Sequence, residues 1–171
     1  MKQTKALLRV GQASDPEMVP ALAIALFAGL RRSEFFALDW SEIDLGNRTI
    51  EVKGIKAKTR QRRLVHIVDN LLGWLTPRRQ EHGRIAPERN IDVFSERLRA
   101  LAHAAKINPW PHNAMRHSFG SYFLGKTKDE NLTASEMGNS PGVVVRHYRA
   151  VVKDADIAEY WRITSTNAGE D

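Results

Sequence analysis

No cysteine occurs among the 171 residues, which excludes disulfides, a cysteine nucleophile and thiolate metal sites. Long apolar runs are missing as well. The longest uncharged apolar stretch, Met18 to Leu30, is too short for a membrane-spanning helix, which takes about 20 residues. It lies behind Asp15 and Glu17, a poor context for a signal peptide, and it reads as a buried core helix. The chain has no internal repeat, no low-complexity segment and no targeting signal. It also has no cluster of acidic residues of the kind that binds a catalytic metal. No metal, cofactor or membrane partner is therefore expected, and the absence of cysteine suits a reducing cytoplasm.

The length is that of one ordinary domain with a substantial core. The formal net charge is +6 and the pI about 9.8. A basic surface favours polyanions, DNA or RNA above all, because neutralised phosphates release counterions.

The pattern along the chain is mainly helical. A short helix is expected over 2–12. Asp15 as cap and Pro16 at the first position start a second helix that Gly29 ends, with a short helix following over 32–38. Ile43 and Leu45, then Thr49, Ile50 and Val52, then Leu64, Val65 and Ile67 predict three short antiparallel strands, the first turn marked by Gly46-Asn47. Lys53 to Arg63 is then a long, very basic hairpin. Further helices are expected over 69–82, 91–106 (Phe94, Leu98, Leu101 and Ala105 at helical spacing) and from His112 to Gly125. Thr133 and Glu136 form a capping-box pattern for a short helix. Ser140-Pro141 starts another, and a last helix covers 153–163. Residues 166–171 read as a disordered polar tail.

On these elements lies a set of polar residues: Arg31, Lys58, His112, Arg116, Asn139 and Tyr148. Two arginines can hold an anionic phosphate with forked hydrogen bonds. A lysine and a histidine can move protons, and a tyrosine hydroxyl can act as nucleophile. His112 and Arg116, four residues apart in a predicted helix, would share a face. Singly each residue has a plainer reading: solvated charge for Arg31, Arg32 and the hairpin cations, core packing for Tyr148.

The contexts GLRRSE, KAKTRQRR, HNAMRHS and MGNSPGVVVRHY, in this order, resemble the tyrosine recombinase (phage integrase) family over nearly the whole chain. The most specific match is HNAMRHS, which is similar to the family's HxLRHT-type box. The resemblance implies the catalytic core fold of DNA breaking–rejoining enzymes, mainly α with a small three-stranded antiparallel sheet, occupying 1–165. It implies site-specific DNA recombination, integration or excision, through a 3′-phosphotyrosyl intermediate. By residue, it implies that Arg31 and Arg116 grip the scissile phosphate, with Glu34 in a supporting position. His112 assists proton transfer or binds the phosphate, and His117 is structural. Lys58, with Lys56 as the other candidate, is the general acid for the leaving 5′ oxygen. Tyr148 is the nucleophile, nine residues after Asn139 as the family spaces them. Lys53, Lys56, Arg60, Arg62 and Arg63 would contact DNA.

Asn139 departs from the pattern, since the family usually has histidine or tryptophan there. An asparagine amide still donates a hydrogen bond but carries no proton or charge. It is therefore either a phosphate donor or a plain turn residue before Ser140-Pro141. The resemblance further implies double-stranded DNA as partner, a homotetramer on DNA for the full-length protein, and a nucleoid-associated location in a bacterial cytoplasm. The family's N-terminal core-DNA-binding domain is absent from this sequence, so a fragment is expected. Two other readings remain at this point: a catalytically degenerate DNA-binding relative, and a type IB topoisomerase-like DNA relaxing enzyme.

Overall fold

The computed structural model describes residues 2–54, 62–148 and 152–168. At the centre lies helix α2 (Val19–Phe27), whose sequence VPALAIALF has no polar residue and whose every residue is buried. A helix apolar on all sides must be enclosed on all sides. Helices α1 (Lys2–Ser14), α3 (Arg32–Ala37), α4 (Asp69–Leu75) and α6 (Ala114–Thr127) do this, with α5 (Ile91–Ala104) laid on α1. Along α5, Phe94, Leu98 and Leu101 turn inward as their spacing predicts.

The sheet has the order β1 (Ile43–Asp44), β2 (Thr49–Val52), β3 (Arg63–His66), all antiparallel. Its register pairs Ile43 with Ile50, Ile50 with Val65 and Val52 with Arg63. Ile50, Val52 and Val65 therefore face the core, while Leu64 is exposed. A second, smaller apolar cluster (Phe119, Ala134, Met137, Val144 and Tyr148) joins α6 to α7 (Glu130–Met137) and α8 (Pro141–Tyr148). The last helix, α9 (Asp154–Trp161), closes against α6; Tyr160 is fully buried, stacked 4.1 Å from Tyr122.

Several sequence expectations are corrected here. Asp15 does not cap a helix with its side chain: Pro16–Met18 form a 3-10 turn before α2. The Asp15 carboxylate accepts two hydrogen bonds from Arg97 instead, at 3.0 and 2.5 Å. A forked, charge-assisted pair across the fold outcompetes a local cap. The cap of α7 is Asp129, which accepts from the Leu132 N–H at 2.9 Å, so Thr133 and Glu136 lie inside the helix and are buried. The helix after Val68 stops at Leu75 and continues only as a 3-10 turn through Arg78, because Pro77 cannot donate to the helical ladder. Thr164 to Ala168 turn back onto the domain: the Thr164 N–H donates to Asn167 at 2.8 Å and Ala168 is buried.

Candidate active site

Three chain breaks converge on one face. The first is the end of α2, where Gly29 takes a left-handed φ of +63°. A Cβ there would lie 2.2 Å from the Phe119 ring, so glycine is required on two counts. The turn sends Arg31 out as the N-cap of α3 with extended backbone. The second is the C-terminus of α7, where Gly138 also has φ +63°. The third is the start of α6, which presents Arg116 in its first turn.

A helix end leaves carbonyl oxygens without partners inside the helix. At the end of α7 the Ala134 and Ser135 carbonyls accept from the Asn139 and Gly138 N–H groups, and the carbonyls that follow are taken by arginines. Arg116 Nη2 donates to Met137 O at 2.8 Å, Arg31 Nη2 donates to Gly138 O, and Arg63 Nε makes a long 3.4 Å contact to Glu136 O. The negative end of the helix dipole suits this cationic group. Asn139, the next residue, completes it: its Oδ1 accepts from Arg31 Nη2 at 3.0 Å and from Arg116 Nη2 at 2.9 Å. Arg116 Nη1 also donates to Gly29 O. Among the described residues, each of these two guanidiniums thus spends three of its five N–H groups on protein oxygens. Among those residues, two N–H groups on each have no protein partner and can meet an anion.

Glu34 supplies the counter-charge. It accepts from the Arg31 backbone N–H at 2.7 Å, from Arg31 Nη1 at 3.0 Å, and from both Arg63 amino groups at 2.8 Å. Burial by itself would raise its pKa. The Arg63 and Arg31 hydrogen bonds and charges outweigh burial and bring it from 4.5 down to about 2. Burial, followed by the charge of Arg31, lowers the Arg116 pKa to about 10, which leaves it cationic at neutral pH. Three arginines therefore face one carboxylate, and the surplus positive charge is stored where an anion can use it.

Tyr148 ends α8, buried against Gly120, where a Cβ would come within 2.6 Å of its ring. His117 lies beside it, ring centroids 5.4 Å apart. Burial, then His147, Arg116 and His112, lower the His117 pKa, favouring the neutral ring. The other two tyrosines are held in the protonated form. Burial, then Tyr122, raises Tyr160 well above 10; burial, then Asp156 and Glu159, raises Tyr122.

The structure therefore joins Arg31, Arg116 and Asn139 directly, with Tyr148 close enough to Arg116 to act on it electrostatically. His112 needs a correction. Helix α6 begins at Ala114, after Asn113 in a left-handed conformation, so His112 sits in the preceding turn and not on the Arg116 face of a helix. It is exposed, and with Arg32, Trp110 and Arg116 it lines a cavity of about 580 Å³. Lys58, Lys56 and Arg60 lie outside the described residues. Lys53 and Arg62 are exposed and paired with Glu42 (2.8 Å) and Glu51 (2.9 Å). Arg63 is drawn inward to Glu34.

Sequence reasoning missed the role of Arg63, the carbonyl row of α7 and the pair formed by His66 and Glu136. In that pair the His66 N–H donates to Glu136 Oε2 at 3.0 Å, and the ring Nδ1 meets Oε1. A glutamate buried on a short helix beside Met137 was the available signal, because a buried carboxylate needs a partner.

A mainly helical domain that gathers two arginines, an amide and a tyrosine beside a small antiparallel sheet has the fold of tyrosine recombinase catalytic domains. The phage integrase family model matches residues 2–154, and the chain belongs to that family. Among solved structures, a XerA recombinase is 18% identical with a TM-score of 0.73, covering 93% of this chain and 61% of its own. The integrase from mycobacterium phage Brujita is 20% identical (TM-score 0.59), covering 98% and 56%. The integrase of transposon Tn1549, in complex with transposon right-end DNA, is 18% identical (TM-score 0.67), covering 94% and 64%. The chain thus spans 56–64% of the length of these proteins, and at such identities the likeness is one of fold. No curated protein matches the chain significantly. Among the described residues no helix is long and apolar enough to cross a membrane.

Proposed function

We propose that this domain cleaves and rejoins DNA strands in site-specific recombination, with Tyr148 as the nucleophile. The observation that carries the reading is the joint hold of Arg31 and Arg116 on Asn139 Oδ1, at 3.0 and 2.9 Å. It brings two guanidiniums together at a spot where their remaining donors can share one phosphate. A phosphodiester repels an approaching nucleophile, and paired cations stabilise the charge that builds up in the transition state.

In the proposed step the Tyr148 oxygen forms a bond to phosphorus and the bond from phosphorus to the 5′ oxygen breaks. The tyrosine proton passes to a base, for which His112 is the candidate. The leaving oxygen takes a proton from Lys58 and departs as a 5′ hydroxyl. The phosphotyrosyl link retains the bond energy, so attack by another 5′ hydroxyl reverses the step. Asn139 acts as the hub that holds the arginines, and its Nδ2 remains available as a neutral donor. Exposed Lys53 and Arg62, together with Lys56 and Arg60, would contact phosphates along the duplex. The full-length protein would act as a homotetramer on two duplexes, in integration or excision of a mobile element.

The test is to trap the covalent intermediate. Protein is incubated with supercoiled plasmid in EDTA and quenched with SDS, beside Tyr148→Phe. A DNA link in the wild type that disappears in the variant supports the reading. A link that persists in Tyr148→Phe refutes the assignment of the nucleophile. DNA binding without any link, even when the chain is joined to an N-terminal DNA-binding domain, would instead make the domain a binding-only relative. Relaxation of plasmid without recombination between two sites would favour topoisomerase-like chemistry.

A further inference from the structure

Arg63 follows a run of basic residues, and on sequence it reads as one more DNA contact. Its surroundings argue otherwise. Its side chain is only 17% exposed. Both amino groups form a fork on Glu34, at 2.8 Å to each carboxylate oxygen. Its guanidinium presses on Gly138, 2.9 Å from where a Cβ would stand. Neighbouring Arg62 is 69% exposed and paired at the surface with Glu51. One step along the chain thus separates an outward cation from an inward one, as strand alternation requires.

The carboxylate that Arg63 grips is the one that holds Arg31. Glu34 Oε2 accepts the Arg31 backbone N–H and Oε1 accepts Arg31 Nη1. A carboxylate bound by one fork has little freedom to rotate, so its second pair of acceptor sites is fixed as well. We infer that Arg63 is a positioning residue: it does not touch DNA, but fixes Glu34 and, through Glu34, the angle at which Arg31 meets the scissile phosphate. The inference rests on the reading of Arg31 as a phosphate ligand.

The test uses Arg63→Met, which keeps an unbranched apolar stem, and Arg63→Lys, which keeps the charge but loses the fork. Three quantities are read on the whole chain. The first is the salt dependence of binding to a 30-base-pair duplex. A lost phosphate contact would flatten the logarithmic slope by about 0.9; the inference expects no change in either variant. The second is the NMR signal of the Arg31 Nε–H in the DNA-free protein, expected to shift in both variants. The third is covalent trapping, expected to fall by about tenfold or more in both, since a fork and a point charge are not interchangeable.

A flatter slope in Arg63→Met that Arg63→Lys restores would overturn the inference and make Arg63 a DNA contact. An Arg31 signal that stays in place in a folded Arg63→Lys would overturn it too. If the wild type forms no covalent link, even when joined to an N-terminal DNA-binding domain, the proposed chemistry fails, while the slope and the Arg31 signal still decide the role of Arg63.

Discussion

Replacing Glu34 by glutamine tests the electrostatics of the site. The carboxyl pKa falls from 4.5 to about 2 in the folded protein. At about 1.4 kcal/mol per pKa unit, the ionised carboxylate adds about 3 kcal/mol to stability at neutral pH. Its side chain is only 14% exposed, so solvent screening removes little of this. The sign follows from the depressed pKa. The contribution is complete above the unfolded value near 4.5 and is lost as the pH falls toward 2. Glutamine keeps the shape but removes the charge that separates Arg31, Arg63 and Arg116. Urea unfolding followed by circular dichroism is therefore expected to show Glu34→Gln about 3 kcal/mol less stable than wild type at pH 7. The gap is expected to narrow steadily between pH 4.5 and 2. A gap below about 1 kcal/mol at pH 7, or one that stays the same at pH 3, would refute the idea that the arginines lean on this carboxylate.

Three other perturbations probe separate parts of the site. Asn139→Asp puts a charge where Oδ1 now accepts from both arginines; melting is expected to shift upward while covalent trapping is lost, because a carboxylate there competes with the phosphate. Trapping at the wild-type level would contradict the hub role. Gly120→Ala drives a methyl group against the Tyr148 ring and is expected to cost about 1–3 kcal/mol of stability. Trapping is expected to fall more than duplex binding, measured side by side, and an equal loss in both would point to general unfolding. His112→Ala, at an exposed turn, is expected to leave the free energy of urea unfolding within about 0.5 kcal/mol of wild type while slowing trapping; an unchanged rate would remove His112 from the proton path.

Much of this architecture was legible in the sequence because its signals are local and repetitive. The apolar face of α5, the uniformly apolar α2 and the strands around Gly46-Asn47 fall where periodicity puts them. The errors fall where two partners compete for one polar group. Asp15 has a good cap sequence, yet Arg97 lies far along the chain and offers a fork. Thr133 and Glu136 spell a capping box, yet Asp129 caps the helix and Glu136 pairs with His66 on β3. His112 is spaced for the face of Arg116, but a left-handed Asn113 starts the helix two residues later.

For the site, motif order brought out Arg31, Arg116, Asn139 and Tyr148, which the fold gathers on one side. Motif order says nothing of how a departure is absorbed. Asn139 looks like the loss of a proton donor; in the structure its carbonyl oxygen binds both guanidiniums, a task that needs an acceptor with two lone pairs. Nor does a basic run reveal which of its cations turns inward. Arg62 and Arg63 are chemically identical, and only the pleat of β3 and the reach of Glu34 tell them apart.

Locating the DNA on its residue decides whether Tyr148 is the nucleophile. Cleavage after lysine places the three tyrosines in different peptides: Tyr122 in 107–126, Tyr148 in 129–153 and Tyr160 in 154–171. Protein incubated with plasmid in EDTA, quenched, treated with nuclease and digested in this way can be analysed by mass spectrometry. A nucleotide adduct on the 129–153 peptide, localised to Tyr148, is the predicted result. An adduct on either of the other peptides would contradict the account.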